Sequence, residues 1–197
     1  MAMFSYYSIR PERVSANRQR PDWLSELPDG EIHPGDAAPV LRGDENDAIP
    51  LAASAMVWGM PNLWMARKGL DPLAGLVAFT TIDQDFGPSR DGDHYGFGRC
   101  LVPVTSFVTA DGVELRDPDR PLLTLAGLVG SVEVDGVYTI GMCLLTQPVK
   151  EASDEYAAAM AISPDSYSRW MDGWYSVAQV RNCCTPILRS RLGKTPD

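Results

Sequence analysis

The 197-residue chain is 45% hydrophobic and 22% charged with a formal net charge of −9. That is the balance of an ordinary globular protein and the wrong sign for a general nucleic-acid coat. No stretch approaches the roughly 20 uninterrupted apolar residues of a membrane-spanning helix, and the opening MAMFSYYSIR lacks the basic start and apolar run of a secretory signal.

Four cysteines at irregular spacing, two of them adjacent (Cys183, Cys184), match neither a disulfide framework nor a zinc site. The expectation is a cytoplasmic protein with reduced thiols, no metal and no cofactor. The length suits a single domain, residues 1–197, with 183–197 as a C-terminal tail. The charge is uneven. Residues 1–20 and 181–197 carry Arg10, Arg13, Arg18, Arg20, Arg181, Arg189, Arg191 and Lys194 for a net of +6, leaving −15 on the middle. If the ends meet they form a basic patch; otherwise they are solvated tails.

In chain order, SIRPERVSANRQR (8–20) reads as a helix with Ser8 as its cap. LPDGEIHPGDAAP (27–39) is rich in turn residues, APVLRG (38–43) is a short strand, and ENDAIP (45–50) turns again. SAMVWGM (54–60) is strand-like. NLWMARKGL (62–70) is a helical turn, and QDFGPSRDGDHYGFG (84–98) a loop dense in Gly and Asp. RCLVPVTSFVT (99–109) reads as one strand, with Pro103 marking an edge or bulge position. Turns at ADG (110–112) and DPDRP (117–121) flank a short return, VELR. LLTLAGLVGSVEV (122–134) and VYTIGMCLLT (137–146) are long strands joined by the hairpin turn Asp135–Gly136. SPDSYSRWMDG (163–173) is a helix with Ser163 as N-cap, Pro164 at the first helical position and Gly173 as stop. Its Tyr167, Trp170 and Met171 share one face and predict core packing. The class is α+β, β-rich, with a curved, mainly antiparallel sheet or open barrel and a few flanking helices.

No phosphate loop and no nucleophile elbow is present. RDGDHYG (90–96) lacks the rest of a calcium ligand set. The histidines, His33 and His94, lie in loops, and nothing in the sequence brings either to a cysteine, as a Cys/His nucleophile needs. Cys100 shares a strand face with Val102 and Val104, so it reads as a small buried hydrophobe. A relocated thiol site at Cys183 or Cys184 is a minor alternative.

EIHPGDAAPVLRG (31–43), VWGMP (57–61), RCLVPVTSF (99–107), LAGLVGS (125–131), LLTQP (144–148) and the AM and YSRWM segments of 159–171 occur in an order that resembles the SOS response-associated peptidase family. That family includes the abasic-site processing proteins, and the resemblance covers roughly residues 3–182. It implies a β-rich α+β fold with a groove for single-stranded DNA. It also implies a cysteine after the initiator methionine, whose freed amine and thiol close a ring on the aldehyde of an abasic site. An Asn, a Glu and a His position the sugar and move protons.

Carried over by position, the cysteine falls on Phe4, the asparagine on Thr81, the glutamate on Thr109 and the histidine on Tyr156, with Glu155 the alternative. A phosphate-binding arginine falls on Asp83. Phenylalanine cannot close the ring. Methionine removal is not expected before so bulky a residue if translation starts at Met3, and Phe4 has no free amine if it starts at Met1. The two threonines can hydrogen-bond but are not acids near neutral pH. The resemblance therefore implies a member with no intact catalytic residue, not an active enzyme. Single-stranded DNA binding would rest on Pro34, Trp58, Pro61, Trp64, Thr146, Arg10 and Arg13, with the tryptophans stacking on bases or, alternatively, packed in the core. Two other readings stay open. One is a protein-interaction or decoy module using the same groove. The other is an active crosslinking or peptidase member, should the carry-over be wrong.

Overall fold

A computed structural model describes residues 2–11, 27–43, 51–60, 65, 68–71, 74–81, 98–134, 137–152, 154–172 and 181–194. Among the described residues, thirteen strands form two sheets. The smaller contains β1 (Tyr6–Ile9), β2 (Gly30–Ile32), β7 (Ser106–Val108), β8 (Glu114–Arg116) and β13 (Gly193–Lys194), in the order β13-β8-β7-β1-β2. The larger holds β3 (Ala37–Gly43), β4 (Leu51–Trp58), β5 (Phe79–Thr81), β6 (Gly98–Val104), β9 (Leu123–Val134), β10 (Val137–Glu151), β11 (Asp154–Ile162) and β12 (Cys184–Pro186). Its pairings run from β9 through β6, β3 and β4 to β10, and β10 pairs back onto β9. The sheet therefore curls and closes on itself. Most ladders are antiparallel; β10 also pairs in parallel with β4 and β5. This is the β-rich α+β architecture expected. A short α-helix, α1 (Tyr167–Met171), follows a 3-10 turn at Pro164–Ser166.

From Cys100 to Val104 β6 is buried on both faces, as a strand covered on both sides must be. On β6, Cys100, Val102 and Val104 face the smaller sheet and pack with Tyr7, Ile9, Ile32 and Phe107. Leu101 faces the other way and packs with Leu41, Ala126, Leu128 and Leu145 in a second core, which Trp170, Cys183 and Cys184 close. The apolar stripe of 163–173 thus packs as expected, although Ser163 makes no side-chain cap bond. Gly173 lies outside the described residues.

Four expectations need correction. Ser8 is no helix cap; it lies inside β1, paired with Ser106 and Glu31. The remainder of that predicted helix, from Glu12 on, lies outside the described residues. RCLVPVTSFVT is not one strand. The chain leaves the larger sheet after Val104 and enters the smaller at Ser106. The corner residue, Thr105, donates both its N–H and its hydroxyl to the Ser8 carbonyl at 3.0 Å. Pro103 is likewise not on an edge strand, since β6 lies between β3 and β9. It sits where the strand turns away, so its missing N–H breaks no long ladder. Finally, 183–194 is no tail. β12 joins the larger sheet, Ile187 enters the core, and β13 joins the smaller sheet.

Candidate functional site

The N-terminal segment enters between the two sheets. Ala2 bridges Ala157, the Met3 N–H donates to the Ala157 carbonyl at 3.0 Å, and the Ser5 N–H donates to the Val108 carbonyl at 2.8 Å. Phe4 is thereby carried into a cage of rings. It lies 4.8 Å from Phe107, 5.5 Å from Phe79 and 6.3 Å from Trp58, centroid to centroid. Tyr7 packs on the same Trp58 at 5.0 Å.

The other three carried-over positions lie close in sequence to residues that contact this segment. Tyr156 precedes Ala157. Thr109 follows Val108. Thr81 shares a β5 face with Phe79, two residues earlier. Each is thus next to, or two residues from, a residue that touches residues 3–5 or the ring cage around Phe4. The Thr109 hydroxyl lies 3.1 Å from the Val113 N–H and carbonyl and also bonds Asp111, holding a turn. That bond, with Lys194 and Arg189 nearby, keeps the Asp111 carboxyl below its ordinary range. Thr81 pairs with Thr146 in the β5–β10 ladder. The Tyr156 hydroxyl donates to Glu151 and accepts from the Arg189 N–H at 2.9 Å, while the Arg189 guanidinium lies 4.8 Å over its ring. Glu155 points to solvent.

The proposed DNA contacts fare unevenly. Trp58 is fully buried and its indole N–H donates to the Ala78 carbonyl at 3.0 Å, so it is unavailable for base stacking. Thr146 is buried too, its hydroxyl on the Thr80 carbonyl. Arg10 is ion-paired with Asp29 at 2.9 Å. Pro34 is exposed in the turn that Asp36 closes onto the His33 N–H. Pro61, Trp64, Arg13, Asp83 and His94 lie outside the described residues.

The motif VWGMP is scaffold where it is described. Gly59 has φ +140°, and its carbonyl would stand 2.2 Å from any Cβ placed on Gly141. These two glycines let β10 cross the end of β4.

No cysteine is a poised nucleophile. Burial pushes the Cys100 thiol well up, and the Cys143 and Cys184 thiols up to about 12. The fourth, Cys183, is buried. His33 stacks on Tyr6 at 4.1 Å and lies 3.6 Å from Glu31. No metal-ligating cluster occurs among the described residues, and none of their helices is long and apolar enough to cross a membrane.

The two chain ends do meet, a contact the sequence raised only as one alternative. Arg189 donates to the Met3 carbonyl at 3.2 Å. Arg191 and Lys194 are exposed nearby, on the segment that ends in β13. Arg181 sits elsewhere, in the 3-10 turn leading to β12.

No family model matches the chain, and no curated protein matches it. Solved structures do. A protein from Bordetella bronchiseptica superposes with TM-score 0.58 at 17% identity, covering 96% of this chain and 97% of that one. A protein from Bacteroides thetaiotaomicron gives 0.59 at 13% identity, covering 98% and 89%. A phage-related protein from B. bronchiseptica gives 0.56 at 15%, covering 98% and 93%. The likeness is one of fold. At these identities it extends over nearly the whole chain and carries no residue roles.

Proposed function

We propose that the chain is a catalytically inactive protein of the SOS response-associated peptidase type that binds single-stranded DNA at the junction of its two ends without crosslinking to it. The observation that carries this reading is the state of residue 4. Crosslinking needs a free amine beside a thiol. Here the residue is Phe4, caged by Trp58, Phe79 and Phe107. The preceding amide, of Met3, is bonded inside the fold. Thr81 and Thr109 supply hydroxyls where acid–base chemistry needs a group that titrates near neutral pH. What supports DNA binding is the cationic side of the junction, with Arg191 and Lys194 exposed and Arg189 half-buried over Tyr156, although Asp111 and Glu151 lie beside them and the buried Trp58 contributes no stacking.

The test is fluorescence anisotropy with a labelled oligothymidylate and its abasic counterpart, followed by a denaturing gel. Equal affinity for both is expected, with log K falling on log salt at a slope of about −2, as three phosphate contacts to a single strand give. A covalent band that survives denaturation overturns the inactive reading. Absence of binding at low salt overturns the DNA reading and leaves a protein partner. The net charge of −9 would then favour a basic one.

A further inference from the structure

Segment 188–194 crosses from the larger sheet to the smaller and touches Met3 on the way. Its near end is firm. Ile187 is in the core and its N–H donates to the Ala159 carbonyl at 2.9 Å. Beyond it the attachments thin. Arg189 reaches the Met3 carbonyl, the Tyr156 ring and, through its N–H, the Tyr156 hydroxyl. The Ser190 hydroxyl donates to Glu151 at 2.5 Å. Leu192 is only partly buried against the core, and β13 is two residues long.

One group in this set is unsatisfied. The Nε of Arg189 is buried and has no hydrogen-bond partner among the described residues. Native structures rarely leave such a donor unpaired, and each case asks for an explanation. The cost falls on the closed strap alone, because a strap lifted into water regains the bond. Few buried contacts, a short edge strand and an orphan donor are the features of a segment that opens below the global unfolding free energy.

We infer that Leu188–Lys194 is a latch, hinged after Ile187, which opens as a unit and uncovers Met3 and Tyr156. Its ligand-side trigger is a phosphodiester anion, which gives the Arg189 guanidinium the bidentate partner it lacks; this trigger rests on the DNA-binding reading above. In the closed state Arg189 shields the region that the resemblance associates with chemistry. The same residue is therefore both lid and anion contact.

Hydrogen exchange on the whole chain separates the two parts. In the free protein, the Arg189 and Leu192 amides are expected to exchange at least tenfold faster than those of Ile187 and Val102. A Tyr156→Phe/Ser190→Ala variant, neutral in charge, should open further and bind oligothymidylate at least threefold tighter, because part of the opening cost is removed. If Arg189 and Leu192 exchange only as fast as Val102, the latch is overturned. If the latch opens but the variant binds the oligonucleotide no tighter than wild type, its role as a gate is overturned. If the latch opens and neither protein binds at low salt, the latch stands and the DNA-binding reading alone fails.

Discussion

Cys100 and Gly127 face each other across the β6–β9 ladder, and a Cβ placed on Gly127 would stand 2.5 Å from the Cys100 sulfur and 3.1 Å from a Val102 methyl. Glycine is needed there for space. The thiol lies in the core because the opposite strand leaves it room.

Gly127→Ala should therefore destabilise by about 1–3 kcal/mol, the usual cost of overpacking. Cys100→Ala should lose about 1 kcal/mol through lost packing. Combined, the two should cost clearly less than their sum, because removing the sulfur makes room for the new methyl. Urea denaturation of the four proteins measures this. Strict additivity would mean that the two groups do not compete for one space.

Arg99 stands next in the chain and does different work. Its guanidinium donates to the Trp170 carbonyl at 3.0 Å and the Asp172 carbonyl at 2.6 Å, and lies 5.7 Å from the Trp170 ring. Trp170 returns a bond to the Cys100 carbonyl at 3.0 Å. The cation thus satisfies carbonyls at the end of α1, which no further helical turn would reach. Arg99→Ala is expected to cost about 2 kcal/mol, since both bonds are charge-assisted. It should also shift the Trp170 fluorescence to longer wavelength. Both bonds leave one nitrogen, Nη1, which an ammonium can imitate, so Arg99→Lys should recover much of the loss and forfeit mainly the contact of the planar guanidinium with the Trp170 ring. Unchanged fluorescence in Arg99→Ala would show that α1 is held by its apolar face alone.

Much of this architecture was legible. β9, β10 and the turns around VELR follow from β-branched runs and Gly or Asp turns. Periodicity placed Cys100, Val102 and Val104 on one buried face. β11 was not legible. Its EYAAAMAI run is alanine-rich, and alanine favours helix and is depleted in strands. The strand forms because β10, β9 and β12 all pair with it, and small side chains fit that crowded position. The break at Thr105 was equally silent, since Val104 and Ser106 are both strand-compatible and only the Ser8 carbonyl, far away in sequence, selects the corner. For the candidate site, Phe4 was singled out only by the resemblance, which implied a thiol where this chain has a phenyl ring. Residue types did not show that Trp58 turns inward, because a tryptophan between apolar neighbours reads equally well as a surface ring or a core residue.

Tyr7 offers a third test. Its ring is wholly buried against Trp58 and its hydroxyl has no hydrogen-bond partner among the described residues. Burial raises its pKa well above the ordinary range, with Cys100 and Asp36 adding in the same direction. An orphan hydroxyl costs about 1–3 kcal/mol, so Tyr7→Phe should stabilise the protein by about 1 kcal/mol, seen as a higher urea midpoint with an unchanged slope. A loss of stability instead would show that the hydroxyl is engaged, for example by an internal water.

The Glu151 carboxylate gathers the strap. It accepts from the Ser190 hydroxyl and the Tyr156 hydroxyl, and these bonds, in that order, hold its pKa below the ordinary value. A carboxyl depressed in the folded state stabilises it fully above the unfolded pKa, near 4.3. That contribution fades as pH falls through the lower folded value. Latch closure should therefore be flat from pH 7 to about 4.5 and weaken below. The Ser190 amide resonance should move in the same window, with a midpoint under about 4.3. Glu151→Gln should abolish the transition while leaving the amides of β6 and β9 unshifted. A midpoint at or above the ordinary value would sink the assignment of Glu151 as the strap's anchor, because a carboxylate that stabilises closure must bind its proton less readily in the closed state than in the open one.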